Sequence, residues 1–402
     1  MAGRFCFKIS LMTTPVETDV FEVYRAELEN LRDQGRMRAL KSVEIIDGVQ
    51  CKVAGQNAIN FSSNDYLGLS QDERLKQAAI AAIQQHGTGS GSSRLIAGSS
   101  PEVQKLEENI AAWKHTEAAL VFNSGYQANV AIAQALFDKN THVFADKLNH
   151  ASLVDGMLLA GCKWTRYTHL DMDALAQKLS QAPKNSSKWI VTDSLFSMDG
   201  DYGNLSKLCS IAEEHGAHVL IDEAHAAGVF GNEHASGLAE AFAVQNKITL
   251  QMGTFSKALG GFGAYVAGPK VLIDTLINKA RGLIYSTALP PAMIATAQAA
   301  IDLVQADRSM KEALWRNIHS AHAKLAEAGF PKSLQPTQIM PIHIGDDAKT
   351  MQAMQQLLEA GYFVQGVRPP TVPEGSSRLR ISLSALHTSE QLDGLIHALA
   401  VK

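Results

Sequence analysis

Apolar residues recur along this chain with two different periods, and the alternation between them predicts its elements. Short runs rich in β-branched and aromatic residues predict strands: AALVF (118–122), THVFA (141–145), KWTRY (163–167), KWIVTD (188–193), AHVLID (217–222) and ITLQM (248–252). Between them, stretches such as GYQANVAIAQALF and NLSKLCSIAEEHG carry apolar residues at helical spacing. Strand, helix, strand in this order from about 60 to 287 predicts a parallel sheet covered by helices on both faces. Ahead of it, the stretch from about 17 to 45 is charged and helical in period, which predicts an arm rather than a core element. After STALPPAM comes an Ala-rich helical stretch, about 291 to 329. IMPIHIG, a helix near 348–360, YFVQGVRPPTVP, RLRISLSA and a last helix from about 388 follow. The expected organisation is a helical arm (1–59), a large α/β domain (60–290) and a small C-terminal α+β domain (291–402).

Composition narrows the class. A chain of 402 residues, 46% hydrophobic and 19% charged, can bury a sizeable core. A net charge of −4 offers no basic field for nucleic acid or a membrane surface. Four cysteines, Cys6, Cys51, Cys162 and Cys209, are scattered without a C-x-x-C pair. They argue against a zinc site or a disulfide framework and fit a reducing compartment, the cytoplasm. The opening MAGRFCFKISLMTTPVE reads as a ragged N-terminus rather than a signal peptide, with Met12 as an alternative start. No stretch approaches the roughly 20 apolar residues that a membrane span needs.

The stretch HVLIDEAHAAG (218–228) resembles the magnesium-binding strand end of a nucleic-acid-dependent ATPase. That chemistry requires a phosphate loop ending in Gly-Lys, and the chain contains no Gly-Lys pair. Another chemistry also wants an acid here. Asp222 ends an apolar strand, where a buried carboxylate needs a cationic partner, and a protonated pyridine nitrogen is one. In QMGTFSKALGGFGAY, Lys257 stands among small residues that let an aldehyde approach and form a Schiff base, with Thr254 and Ser256 offering hydroxyls to a phosphate. This acid and lysine are the pair expected of a pyridoxal phosphate (PLP) enzyme. In VFNSGYQANV, Asn123 or Ser124 caps a helix whose first residues, Gly125 and Tyr126, suit a phosphate dianion. His150 opens a helix where its ring stacks on a flat cofactor, and Ser197 and His225 follow two further strand ends. Ligand groups gather outside the carboxyl ends of strands in such sheets.

On these motifs the chain resembles the α-oxoamine synthases, of the aspartate-aminotransferase-like (type I) PLP fold. NFSSNDYLGLS, DKLNHASL, FSMDGD, IDEAH, TFSKALG, IYSTALPP and VRPPTVPEGSSRLRISLSALHT carry the likeness, which runs from about Arg38 to the C-terminus. It implies a mostly parallel central sheet with helices on both faces. Lys257 would be the Schiff-base lysine, Asp222 the pyridine partner, and His150 the stacking ring. Ser197 and His225 would bond the phenolic oxygen, while Gly125, Tyr126 and Thr254 hold the phosphate. Arg38, Asn64, His150, Thr371 and Arg380 would face substrate, with Arg380 on the amino-acid carboxylate. The family joins an amino acid to an acyl thioester with loss of carbon dioxide. RPPTVP together with FSSNDYLGLS points to L-alanine and a pimeloyl group on coenzyme A or acyl-carrier protein. Sister synthases that use glycine, and type I aminotransferases, are the alternatives. A homodimer with a shared site is implied, Ser286 and Thr287 reaching the neighbour's phosphate. Two features depart from the family pattern: Val103 stands where relatives often carry a histidine, and the arm around Arg38 is loosely patterned.

Overall fold

The structure is a computed structural model that describes residues 20–183, 186–333 and 335–400. The expected alternative start at Met12, and Cys6, lie outside the described residues. After an exposed helix, Glu22–Asp33, come β1 (Val43–Asp47), β2 (Gln50–Val53) and β3 (Gln56–Asn60). Of the helical period expected over 17–45, the described residues therefore form one helix. Gly35 ends it at positive φ, and the chain turns to strand from Val43.

The large sheet contains β4 (Ala118–Phe122), β5 (Thr141–Asp146), β6 (Lys163–Tyr167), β7 (Ser187–Asp193), β8 (Ala217–Asp222), β9 (Leu250–Thr254) and β10 (Ala264–Gly268). Their order is β4-β10-β9-β8-β7-β5-β6. Strands β5 to β9 run parallel, and β10 lies antiparallel to both of its neighbours. Alternate residues feed two cores: Ile190, Val219 and Ile221 on one face, and Trp189, Val191 and Leu220 on the other. Helices Pro101–Trp113, Met172–Ser180 and Leu205–His215 cover the first face, and Gly125–Leu136, Ala151–Ala160 and Lys270–Lys279 the second. A sheet buried on both sides explains why its strands read as nearly continuous apolar runs.

The stretch expected as one helix over 291–329 is two, Pro291–Ala306 and Ser309–Glu327. Asp307 breaks it by accepting the Ser309 amide at 2.9 Å, a local bond that competes with the helical ladder. Beyond lie β11 (Ile339–Gly345), β12 (Tyr362–Phe363), β13 (Gln365–Val367) and β14 (Ser377–Ser382). The last sheet, ordered β11-β14-β13, is antiparallel, while β12 joins β3 in parallel and ties the N-terminal strands to the C-terminal part. No helix among the described residues is long and apolar enough to cross a membrane.

Candidate active site

Parallel strands that end at one edge bring distant residues together. Asp222 closes β8, Thr254 closes β9 and Asp193 closes β7, with Asp193 directly beside Asp222 in register. Asp222 is buried, its carboxylate accepting the Asn129 amide at 2.8 Å and the Ala224 backbone amide at 2.9 Å. Asn129 also donates to the Ser152 hydroxyl (2.9 Å), which lies 2.7 Å from His150 Nδ1. One network therefore joins Asp222 to the ring of His150. The His150 amide donates to Asp193 at 2.7 Å. Burial and then the neighbouring Asp222 charge push the Asp193 carboxyl well above the usual range.

A second chain of bonds starts at Lys257. Its Nζ lies 3.0 Å from His225 Nε2, and His225 Nδ1 lies 2.7 Å from the Tyr66 hydroxyl. Tyr66 donates to Asn64 Oδ1 at 3.1 Å, and the same oxygen accepts from Arg380 at 3.2 Å. Arg380 also donates to the Ser197 carbonyl (2.5 Å) and the Ser382 hydroxyl (2.7 Å). Lys257, His225, Asn64, Ser197 and Arg380, far apart in sequence, thus share one network. Burial lowers the pKa of Lys257, opposed by the charges of Asp222 and Asp193. Burial lowers that of His225 as well, reinforced by Lys257 and Arg380, so the imidazole is neutral. In His150, burial outweighs the Asp222 charge and lowers the pKa.

The third cluster is a cradle. Ser124 caps helix Gly125–Leu136 by accepting the Gln127 amide. The amides of Gly125 and Tyr126 point out of the first turn, where a helix leaves its donors unpaired. A Cβ on Gly125 would lie 2.8 Å from Thr254 Cγ2, so only glycine permits this approach. The Thr254 hydroxyl is buried and without a partner, which is costly unless a ligand supplies one. Free amides at a helix start beside an orphaned hydroxyl fit a phosphate. Tyr126 itself is half exposed, its hydroxyl bonded to Asp155.

Arg38 and Thr371 meet each other at 3.0 Å on the wall of an open cavity of about 750 Å³, also lined by Lys41, Arg368 and Met354. They form a cluster separate from the Lys257 network. Ser286 bonds Gln127 at 2.7 Å, and the Thr287 carbonyl accepts from Asn123 at 2.8 Å, so both stand beside the phosphate cradle of their own chain. Val103 is buried in the core. Among the residues of these networks not singled out in the sequence are Asn129, Tyr66 and Asp193. Asn129 is a polar residue on the buried face of an otherwise apolar helix, and Asp193 is a second strand-end acid, so both carried a signal.

An acid at one strand end, a lysine after the next and an anion cradle beside them define a class, and the chain belongs to it: the aminotransferase class I and II family, whose model matches residues 56–399. The particular relatives are narrower. The 8-amino-7-oxononanoate synthase of Anaeromyxobacter dehalogenans (strain 2CP-1 / ATCC BAA-258) is 45% identical over 375 residues, covering 93% of this chain and 94% of that one. A serine palmitoyltransferase variant from S. paucimobilis, solved with PLP and myriocin bound, superposes with a TM-score of 0.89 at 28% identity, over 95% of this chain and 96% of that one. The 8-amino-7-oxononanoate synthase of Francisella tularensis gives a TM-score of 0.75 at 29% identity, over 86% and 97% of the two chains.

Proposed function

We propose that this chain is a PLP-dependent acyltransferase of biotin biosynthesis. It condenses L-alanine with pimeloyl-CoA or pimeloyl-acyl-carrier protein to give 8-amino-7-oxononanoate, the free thiol carrier and carbon dioxide. The observation that carries the reading is the unbroken network from Lys257 through His225, Tyr66 and Asn64 to Arg380. It sets an amine and a carboxylate-binding guanidinium on the two sides of one site. Similarity to named synthases over nine-tenths of the chain supports the choice of substrates.

When bound, PLP supplies an aldehyde that condenses with amines and an electron-poor ring that takes up an electron pair. The residues around it divide the remaining work. Asp222 presents its carboxyl group, oriented by Asn129, where a ring nitrogen needs an acidic partner to stay protonated. Thr254, Gly125 and Tyr126 hold the phosphate, and the face of His150 supports the ring. His225 and Ser197 attend the phenolic oxygen. Arg380, fixed by Ser197, Ser382 and Asn64, orients the amino acid by its carboxylate. Lys257, whose burial favours the neutral amine, takes the proton from the substrate's α-carbon and later returns one. Arg38 and Thr371 face the acyl substrate from the cavity they line.

The same reading divides the chain into a body (60–290) and a smaller part (291–402) that close on the site, with 1–59 as the arm. It makes the enzyme a cytoplasmic homodimer with a shared active site. The test is thiol release by the purified protein. Alanine with a pimeloyl thioester is expected to react, and glycine with acetyl- or succinyl-CoA is not. A Lys257→Ala variant is expected to lose both turnover and the visible absorbance of bound PLP. Preference for glycine would move the chain to a sister synthase, and a 2-oxo acid product to an aminotransferase.

A further inference from the structure

Asp222 and Glu223 point to opposite sides as the chain leaves β8. Asp222 serves the site. Glu223 turns toward Lys114, and the two side chains form an ion pair with 0% exposure on either partner. The Glu223 carboxylate takes a short hydrogen bond from Lys114 and accepts the Ala239 amide at 2.9 Å, while Lys114 also reaches the Ser236 carbonyl at 2.5 Å. The backbone closes tightly over them: a Cβ on Gly237 would lie 2.5 Å from both carboxylate oxygens.

The backbone of Glu223 is used just as fully. Its amide donates to Met252 on β9 at 2.8 Å, and its carbonyl accepts the amides of Ala226 and Ala227, each at 2.9 Å. The turn fixed in this way carries Asp222 at its start and His225 near its end. One residue therefore anchors both groups that face the cofactor site. The Tyr265 hydroxyl, buried and unpartnered, feels both carboxylates: burial, then Glu223, then Asp222 push its pKa up. The field of Glu223 thus reaches a group that Asp222 also reaches.

An ion pair stripped of water so completely adds little net stability over apolar side chains of the same volume. What it supplies is direction, because neither charge has another place to go. We propose that Lys114 and Glu223 are positioning residues of the cofactor site, holding the turn that presents Asp222 and His225 toward Lys257. The groups facing Lys257 are Asp222, Asp193, Arg380, His225 and His150. Displacing the turn takes away the carboxylate of Asp222, the strongest influence that keeps the lysine protonated.

The proposal rests on PLP use by this chain. The test uses PLP-free protein and reads PLP affinity together with the pH midpoint of PLP uptake, which follows the neutral fraction of Lys257. In the Lys114→Met/Glu223→Gln double variant, the dissociation constant for PLP is expected to rise about tenfold or more. The uptake midpoint is expected to fall by about half a pH unit or more. A folded variant with wild-type affinity and midpoint overturns the proposal, and so does a loss of affinity with an unmoved midpoint, which is mere loosening. If the double variant does not fold, Glu223→Gln alone, which keeps the shape and the Lys114–Ser236 bond, is judged by the same two readings. Failure of both variants to fold would make the pair a folding requirement and also overturn the role. A wild-type protein that takes up no PLP would instead refute the function proposed above.

Discussion

Lys257 Nζ stands 3.0 Å from His225 Nε2, and the surrounding bonds make that nitrogen the acceptor. Asn64 Oδ1 only accepts, and it takes the single proton of the Tyr66 hydroxyl. The Tyr66 oxygen, 2.7 Å from His225 Nδ1, must then accept the Nδ1 proton. A neutral imidazole has no second proton, so Nε2 offers its lone pair to the lysine. Arg380, bonded to the same Asn64 oxygen, extends this order to the other side of the site.

Removing the hydroxyl that fixes this tautomer is therefore expected to act on the rate. Tyr66→Phe leaves the Nδ1 proton buried without an acceptor and lets the imidazole move its proton to Nε2, against the lysine. One hydrogen bond of net worth about 0.5–1.5 kcal/mol predicts a fall in kcat of roughly 2- to 10-fold. KM for the amino acid is expected to stay near the wild-type value, since Asn64 and Arg380 remain bonded. Steady-state kinetics check both; an unchanged kcat would mean that the tautomer is set elsewhere.

Arg380→Ala is expected to show the opposite split. The guanidinium is held by Ser197, Ser382 and Asn64, so its direction is fixed before substrate arrives. A charge-assisted bond to a carboxylate is worth about 1.5–3 kcal/mol, which raises KM for the amino acid roughly 10- to 150-fold. KM for the thioester is expected to change little. Arg380→Lys is expected to recover only part of the loss, because a single ammonium cannot reproduce the fork. Amino-acid saturation curves for the two variants decide this.

The alternation of strand and helix that builds the large sheet was legible in the sequence, and with it the places where strands end. Residues at strand exits are legible because a run of apolar residues stopping at Asp222 or before Ser124 marks both the element and its end. The antiparallel β10 was not among the expected strands: AYVAG is short, follows a glycine-rich turn, ends in a glycine and is buried throughout, so no alternation marks it. β1 was hidden by an exposed, charged pattern with no buried residue, and β2 and β3 by their shortness and the glutamines and asparagines among their residues. Asn129, Tyr66 and Asp193 reach Asp222, His225 and His150 across 93, 159 and 43 positions of sequence. Such pairs become visible only once the strands are set in order.

His169 offers a test at a distance from the chemistry. Its ring bridges Asp146 at 2.9 Å and Asp201 at 3.1 Å, and so clamps the loop that carries Ser197. Burial works against the charge, but the bonds to Asp146 and Asp201 outweigh it and raise the pKa from 6.5 to about 10. A folded-state pKa above the unfolded one means that the clamp contributes fully below pH 6.5 and is lost as pH rises through about 10. Denaturant midpoints of wild type and His169→Gln are thus expected to differ most at pH 6 and to converge above pH 10. A constant gap across that range would mean that the imidazole packs as a neutral ring.

Thr254→Val separates cofactor binding from folding because the two effects have opposite signs. In PLP-free protein the hydroxyl is buried without a partner, and such a group costs about 1–3 kcal/mol. Valine keeps the shape, including the methyl that a Cβ on Gly125 would strike, and removes the cost. The PLP-free variant is therefore expected to melt above the PLP-free wild type. With PLP present the order changes, because a phosphate oxygen loses a donor held beside the amides of Gly125 and Tyr126. One bond to a charged group at about 1.5–3 kcal/mol predicts a PLP dissociation constant roughly 10- to 150-fold higher. Melting curves with and without PLP measure both quantities on the same samples. If the variant were less stable in both states, Thr254 would be a packing residue and the phosphate would have to sit elsewhere.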